Sequence, residues 1–351
     1  MSSPSWSPLS LRPPLTMFLA ILIASIALFE TVDCKTKESG IDSRVLTSKI
    51  QSNRTIIVDP NGGEAFTSIQ AAIDSIPEGN KEWIIVQLGP GLYREKIKVP
   101  KSKPYIFLRG NGKGKTGIVW NDTSLVNIKS ATFTVEATNF VAWGISFKNE
   151  APVGPFGVVN NRSVAAYVAA DKVAFYHCAF YSRFNTLFDS KGRHYYDNCY
   201  ITGSIDFIFG RARSIFNNCE VFVVADKRET NILGSITAQL RKSPAEDSGM
   251  VFIGGKVYGI GTVYLGRARA AYSTVIFVKT YLSMAIFPEG WTNWSYDDST
   301  NHLMLAEHQT FGPGATPDKR IEWSRQLSDK EAASFTSIDY IDGKGWLPAY
   351  Q

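Results

Sequence analysis

The chain of 351 residues is poor in the features that mark several large protein classes. It has four cysteines and four histidines, and neither a Cys-x-x-Cys pair nor a His-rich spacing is present, so no zinc or other metal site is indicated. One apolar run, residues 15–29 preceded by Arg12, lies near the N-terminus, and no second run of that length follows. Such a run is too short to cross a bilayer comfortably and fits the h-region of a secretory signal. Residues 1–34 are therefore expected to be removed near Cys34, although no clear Ala-x-Ala site is present and an uncleaved anchor is the alternative. No stable membrane span should remain after cleavage. Helical periodicity is also scarce from about residue 89 until the C-terminal segment, and no composition shift divides residues 56–351 into two domains.

What is present is an ordinary globular composition, 44% hydrophobic and 20% charged. The formal net charge is +5, and removal of residues 1–34 leaves 36 basic and 30 acidic residues. That modest excess suits a polyanionic partner and equally a plain solvated surface; nothing points to nucleic acid. Four N-x-S/T sequons, at Asn53, Asn121, Asn161 and Asn293, agree with secretion.

Along the chain, residues 35–55 read as an extended polar leader and Ile56–Asp59 as a first strand. Ile69, Ala72, Ile73 and Ile76 fall at helical spacing before Pro77, a short helix suited to capping the end of a sheet structure. Residues 83–88 form another strand. Beyond it the chain repeats. The stretches beginning at Val173, His194 and Ser214 share one pattern and place Cys178, Cys199 and Cys219 at separations of 21 and 20 residues. A further copy has Gly255 in the cysteine slot, and an earlier one lies near Phe140. Short strands with a period near twenty, joined by connections rich in Gly and Asn, predict an all-β solenoid, a parallel β-helix. A parallel α/β sheet would need helices between the strands. In such a ladder the cysteines are either small apolar fillers or disulfide partners, and with Cys34 removed at least one stays unpaired unless it bonds another chain. Near the end, Ser328 and Glu331 have the form of a capping box opening a last helix.

Asn185 follows Cys178 by seven residues, and Asp206 follows Cys199 by the same interval. On adjacent coils these two side chains should project side by side, about 5–7 Å apart. Asp206 lies in Gly-Ser-Ile-Asp-Phe-Ile-Phe-Gly (203–210), where Phe207 and Phe209 would supply low-dielectric walls. A carboxylate in that setting is a candidate nucleophile, and a turn cap is the structural alternative.

The same stretch, with Gly-Arg-His-Tyr (192–195), Ile-Thr-Ala-Gln (236–239), Tyr-Leu-Gly-Arg (264–267), Gly-Trp-Thr-Asn-Trp (290–294) and Gly-Pro-Gly-Ala (312–315), resembles the plant pectin methylesterases in order and spacing over residues 55–347. The resemblance is to the short type, which lacks an inhibitor-like pro-region. It implies a right-handed single-stranded parallel β-helix with short capping helices, secretion to the extracellular cell wall, a monomer, no cofactor, and hydrolysis of the methyl esters of homogalacturonan to pectate and methanol. In that family an ionised Asp attacks the ester carbonyl and a second Asp protonates the departing methoxide. Two Gln stabilise the oxyanion, an Arg orients the nucleophile and a Trp contacts the sugar. Carried over, Asp206 is the nucleophile, Arg267 the orienting arginine and Phe209 a cleft aromatic. Four positions depart: Asn185 stands at the acid, Phe184 and Arg162 at the glutamines, and Arg269 at the tryptophan. Loss of an acid is typically worth about 10²–10⁴ in rate and loss of one oxyanion donor about 10²–10³. His177 and His194 are substitute acids by sequence proximity alone. The second functional reading is a silenced homologue that binds pectin through Arg162, Arg269, Arg211 and Arg213. A β-helical pectate lyase or polygalacturonase is disfavoured, as no calcium-binding acidic cluster or paired acidic motif is evident.

Overall fold

The computed structural model describes residues 41–152, 162–224 and 234–351. Three sheets of parallel strands wind around one apolar interior, forming a parallel β-helix. Sheet I has eleven strands, and sheets II and III have eight each. A coil takes one strand from each sheet in turn. Val173–Tyr176 lies in sheet I, Ala179–Tyr181 in sheet II and Leu187–Asp189 in sheet III. The next coil repeats this with Arg193–Asp197, Tyr200–Gly203 and Ile208–Gly210.

The repeat read from the sequence is the register of sheet I. Val173 pairs with Phe140 and His194, His194 pairs with Ser214, and Ser214 pairs with Met250. Cys178, Cys199 and Cys219 consequently stack in one interior file, all three buried and all three free thiols. The bend that precedes this file is left-handed on coil after coil. His177, Asn198 and Asn218 have φ of 51°, 52° and 49°, and Gly144 and Gly254 occupy the same bend. Asn and Gly tolerate that conformation best, which accounts for the Asn-Cys pairs.

Inward-facing rings of sheet I stack along the axis. Centroid separations from Phe175 through Tyr196, Phe216 and Phe252 to Phe277 are 5.3, 4.5, 4.5 and 4.4 Å. Offset stacking adds to the area each ring removes from water. The next rung is Glu307, the register partner of Phe277. Its buried carboxylate is held by Arg320, through Nε at 2.7 Å and Nη2 at 2.9 Å. A charge at the end of an apolar file is tolerable only with such a partner.

Helices lie on the outside and at the ends. Residues 43–50, expected to be extended, form helix α1 (Ser43–Ile50), capped by Asp42. The spacing of Leu46 and Ile50 explains the difference, since both are buried against Ile85 and Phe107 on the outer face of sheet I. A two-turn stripe inside a polar segment was too short a signal to register as a helix. Helix α2 (Ile69–Asp74) buries Ile69, Ala72 and Ile73 at the first end of the solenoid, as its spacing predicts. A single turn, α3 (Asn127–Ser130), lies beside sheet III, and α4 (Asp329–Thr336) carries the expected Ser328–Glu331 capping box. Among the described residues no helix is long and apolar enough to cross a membrane. The apolar run at 15–29, Cys34 and the sequon at Asn161 lie outside the described residues.

Candidate active site

The site forms where the chain turns from sheet II into sheet III. Phe184 bridges Ile205 on the next coil, and the Asn185 amide N–H donates to the Ile205 carbonyl at 3.3 Å. This sets Asn185 directly beside Asp206, as the sevenfold offset from the cysteines requires. Both residues adopt left-handed backbone, with φ of 56° and 44°. Asn and Asp are the non-glycine residues that enter this region most readily, so the same geometry that lifts the side chains out of the sheet restricts what can stand there.

Asp206 is gripped from one side. Arg267 donates from Nε to Oδ1 at 2.8 Å and from Nη2 to Oδ2 at 2.6 Å, while the Ser235 hydroxyl donates to Oδ1 at 2.7 Å. The Asp206 side chain keeps 13% of its surface in solvent and Arg267 keeps 6%, so the pair is shielded yet approachable. A bidentate guanidinium fixes the carboxylate plane. Arg267 is itself positioned from behind. Its Nη1 donates to the Trp294 carbonyl at 3.2 Å, and its guanidinium lies 4.6 Å from the centre of the Trp294 ring. The glycine before it is obligatory, because a Cβ on Gly266 would stand 2.1 Å from the Thr237 hydroxyl.

Beyond the carboxylate, the outer face of sheet III carries an aromatic file. Phe209 stacks on Phe188 at 4.4 Å and Phe188 meets Tyr167 at 5.0 Å. Ala238 continues the file across the strand register beyond Phe209. Phe188 and Tyr167 are half-buried and keep apolar surface that suits the faces of pyranose rings, whereas Phe209, 5% exposed, lies beneath them and offers a ligand little, contrary to its expected place in the cleft wall.

Two further arginines lie near the Arg267–Asp206 pair: Arg269 feels the charges of Asp206, Arg267 and Arg162. Arg162 donates to the Leu125 carbonyl at 2.7 Å. Arg269, two residues beyond Arg267, has neither a hydrogen-bond partner nor an ion pair among the described residues. Arg269 is exposed; partial desolvation, and next the Arg267 guanidinium, hold it below its usual value, while Asp206 opposes this and Arg162 adds to it.

Several sequence expectations need correction. Phe207 is not a wall of the cleft but is fully buried in the solenoid core. Phe184 is 6% exposed and offers little surface to a ligand. Arg213 stands on sheet I, paired with Asp247 at 2.5 Å and lying over the Tyr340 ring, so it belongs to no strip with Arg162. Arg211 is 3.9 Å from Glu246 and lines a separate hollow of about 320 Å³ with Phe188, Ser190 and Lys242, past the far ends of the strands from Asp206. Neither histidine replaces the acid. His177 sits at the turn from sheet I to sheet II, next to Trp143. His194 is fully buried, its Nδ1 2.6 Å from Asp189 and its Nε2 2.7 Å from the Ala170 carbonyl. The Tyr196 and Ser214 hydroxyls donate to the same Asp189, making an interior network that ties sheet III to sheet I.

Ser235 and Trp294 were not singled out from the sequence. Both lie in or beside motifs quoted above, Ile-Thr-Ala-Gln and Gly-Trp-Thr-Asn-Trp, and only the fold reveals that they touch Arg267 or Asp206. Gln239 of the first motif is structural, its Oε1 accepting from the Thr274 and Arg241 amides at 3.0 Å each. Among the described residues no group of three or more His, Cys, Asp or Glu is placed to hold a metal ion.

Fold and site together define a parallel β-helix with an arginine-clamped carboxylate on the outer edge of one sheet. Carrot pectin methylesterase has this architecture, matching with a TM-score of 0.78 at 27% identity over 84% of this chain and 95% of that one. A pectin methylesterase solved in complex with a hexasaccharide shares the fold, with a TM-score of 0.73 at 21% identity over 85% of this chain and 99% of that one. In sequence, the Arabidopsis thaliana protein named "Probable pectinesterase 67" is 56% identical over 95% of this chain and 97% of its own length. The family profile described as Pectinesterase matches residues 55–344. The chain belongs to the pectinesterase family, enzymes of the carboxylic ester hydrolase class.

Proposed function

We propose that this chain is a secreted pectinesterase that hydrolyses the methyl esters of cell-wall homogalacturonan, with Asp206 as the nucleophile. The observation that carries the reading is the bidentate Arg267–Asp206 pair, open to solvent on one side beside the Phe188–Phe209 file. Held in one plane and ionised, Asp206 would attack the C6 carbonyl carbon of a methyl galacturonate. Methoxide would leave, and water would cleave the resulting anhydride, returning the carboxylate and releasing galacturonate.

Asn185 and Arg162 set the expected rate. The Asn185 amide can donate a hydrogen bond to an oxyanion but cannot yield a proton to methoxide, so water must supply it. Arg162 stands where the family has a glutamine, and its remaining N–H groups can serve the oxyanion. Turnover is expected to be slow. A second reading, a homologue that binds pectin without turning it over, draws on Asn185 at the acid position. Extracellular placement is supported by the exposed sequons at Asn53, Asn121 and Asn293, each able to carry a glycan.

Methanol release from highly methylated pectin tests the assignment, with Asp206→Asn as the control. Asparagine keeps the left-handed backbone at φ 44°, which alanine would strain. Native release above background that disappears in the variant is the expected result. An inert native protein that still binds the polymer would favour the second reading.

A further inference from the structure

Three consecutive coils bring Asn185, Asp206 and Ser235 level with one another. Leu187 pairs with Ile208 and Ile208 with Thr237, so the residues two positions earlier on each coil form one row. Ser235 is fully buried, and its hydroxyl donates to Asp206 Oδ1 at 2.7 Å. Arg267 Nε donates to the same oxygen at 2.8 Å, whereas among the described residues Oδ2 accepts from Arg267 Nη2 alone. The two oxygens are therefore unequal. Oδ2 keeps more lone-pair capacity for attack on an ester carbon, while Oδ1 stays held by two donors. Once Oδ2 is acylated, Oδ1 becomes the carbonyl oxygen of the enzyme half of an anhydride, and both its donors are already in place. The sugar half has no such pair. Phe184 brings no polar side-chain group, Arg162 Nη1 is engaged with the Leu125 carbonyl, and the Asn185 side chain offers a neutral amide.

We propose that Ser235 and Arg267 form the oxyanion site of the second half-reaction, on the enzyme side, so that water opens the anhydride at Cγ of Asp206 rather than at C6 of the sugar. This rests on the pectinesterase reading. In the first half-reaction Oδ2 bonds to C6 and the bond from C6 to the methoxyl oxygen breaks; the departing methoxide takes a proton from water and leaves hydroxide. In the second, water bonds to Cγ, the negative charge of the tetrahedral intermediate falls on Oδ1 between Ser235 and Arg267, and the Cγ–Oδ2 bond breaks. The galacturonate leaves with Oδ2 as its new carboxylate oxygen, and Asp206 is rebuilt with the oxygen of water. The two protons of that water pass to solvent, one of them neutralising the hydroxide. Of the two carbonyls in one anhydride, the faster to react is the one whose oxyanion meets donors fixed in advance. Ser235 and Arg267 are both buried and already aimed at Oδ1, so they need no reorganisation.

The test is a single turnover by the full chain, in excess over a methyl-esterified oligogalacturonate, in water labelled with the heavy oxygen isotope. Methanol is measured, and mass spectrometry reads the label in the peptide carrying Asp206 and in the new acid. One heavy oxygen in Asp206 for each methanol, with the new acid unlabelled, is the expected result. Ser235→Ala removes one of the two donors, so label should appear in the acid and the ratio of label in Asp206 to label in the acid should fall at least about tenfold. That is less than the loss of about 10²–10³ usual for one oxyanion donor, because Arg267 remains. Ser235→Thr keeps the hydroxyl and should keep the native ratio. The ratio reports how one intermediate partitions, so it does not depend on which half-reaction is slow, and a packing role for Ser235 would not move it. Methanol release with label in the acid and none in Asp206 overturns the proposal and leaves the pectinesterase reading intact. Labelling of Asp206 that is unchanged in Ser235→Ala overturns the part assigned to Ser235. A native chain that releases no methanol overturns the pectinesterase reading and the proposal with it.

Discussion

Restoring a carboxyl at position 185 should turn a slow site into a faster one. Asn185 occupies a left-handed backbone at φ 56°, which aspartate accepts as readily as asparagine, so Asn185→Asp adds an acid without distorting the turn. Neighbouring coils lie about 4.8 Å apart. Two carboxylates about 5 Å apart, at an effective dielectric of about 20, repel by about 3 kcal/mol. That figure is an upper bound, because Arg267 takes up part of the Asp206 field and Arg162 and Arg269 favour a second anion. Even half of it would push the introduced carboxyl above the ordinary carboxylate range, beside an Asp206 whose two oxygens Arg267 already engages. The pair would then have one nucleophile and one proton donor. General acid catalysis of this kind is worth about 10²–10⁴, so initial methanol release should rise by at least about tenfold after allowance for imperfect alignment. The sign of the pH effect follows. The gain requires the protonated introduced acid, so it should be largest in mildly acidic buffer and decline as pH rises through that group's ionisation. A variant that unfolds at the same temperature as the native chain yet releases methanol no faster at any pH would refute the assignment of position 185.

Three further outcomes concern the scaffold. Glu307→Gln leaves Arg320, 3% exposed, without its charge partner, and should cost about 3–5 kcal/mol in urea unfolding; a loss below about 1 kcal/mol would contradict the buried-pair account. Gly210→Ala places a Cβ 1.9 Å from the Asp189 carbonyl at a φ of +138° and should give little folded protein, whereas Gly114→Ala, open within 4 Å and without positive φ, should fold normally. Cys178, Cys199 and Cys219 are buried, and burial pushes the Cys178 and Cys219 thiols well above their usual range. A thiol reagent should leave all three untouched in the native chain and modify all three in denaturant; a rapid native reaction would refute the stacked interior file.

The sequence by itself determined the solenoid and the neighbourhood of its key pair. Cysteines recurring at 21 and 20 residues define coils that stack in register, and equal offsets from them bring Asn185 against Asp206. Stacking at one coil per repeat converts a difference in residue number directly into a neighbour relation, which is why so much of this fold is legible in one dimension. Tertiary structure decided which way side chains point and which sheet they occupy. Inside and outside alternate along a strand, but each left-handed bend resets the count. Phe207, next to the bend at Asp206, therefore turns into the core while Phe209 lies on the outer side of sheet III, stacked against Phe188. Arg211 and Arg213, two residues apart, part across another bend, and only Arg213 joins sheet I. Which arginine closes on a carboxylate depends on where three separate coils place their edges. Arg267 and Asp206 are 61 residues apart in the chain, and no local pattern could have shown that Arg267 takes a carboxylate partner while Arg269 takes none among the described residues.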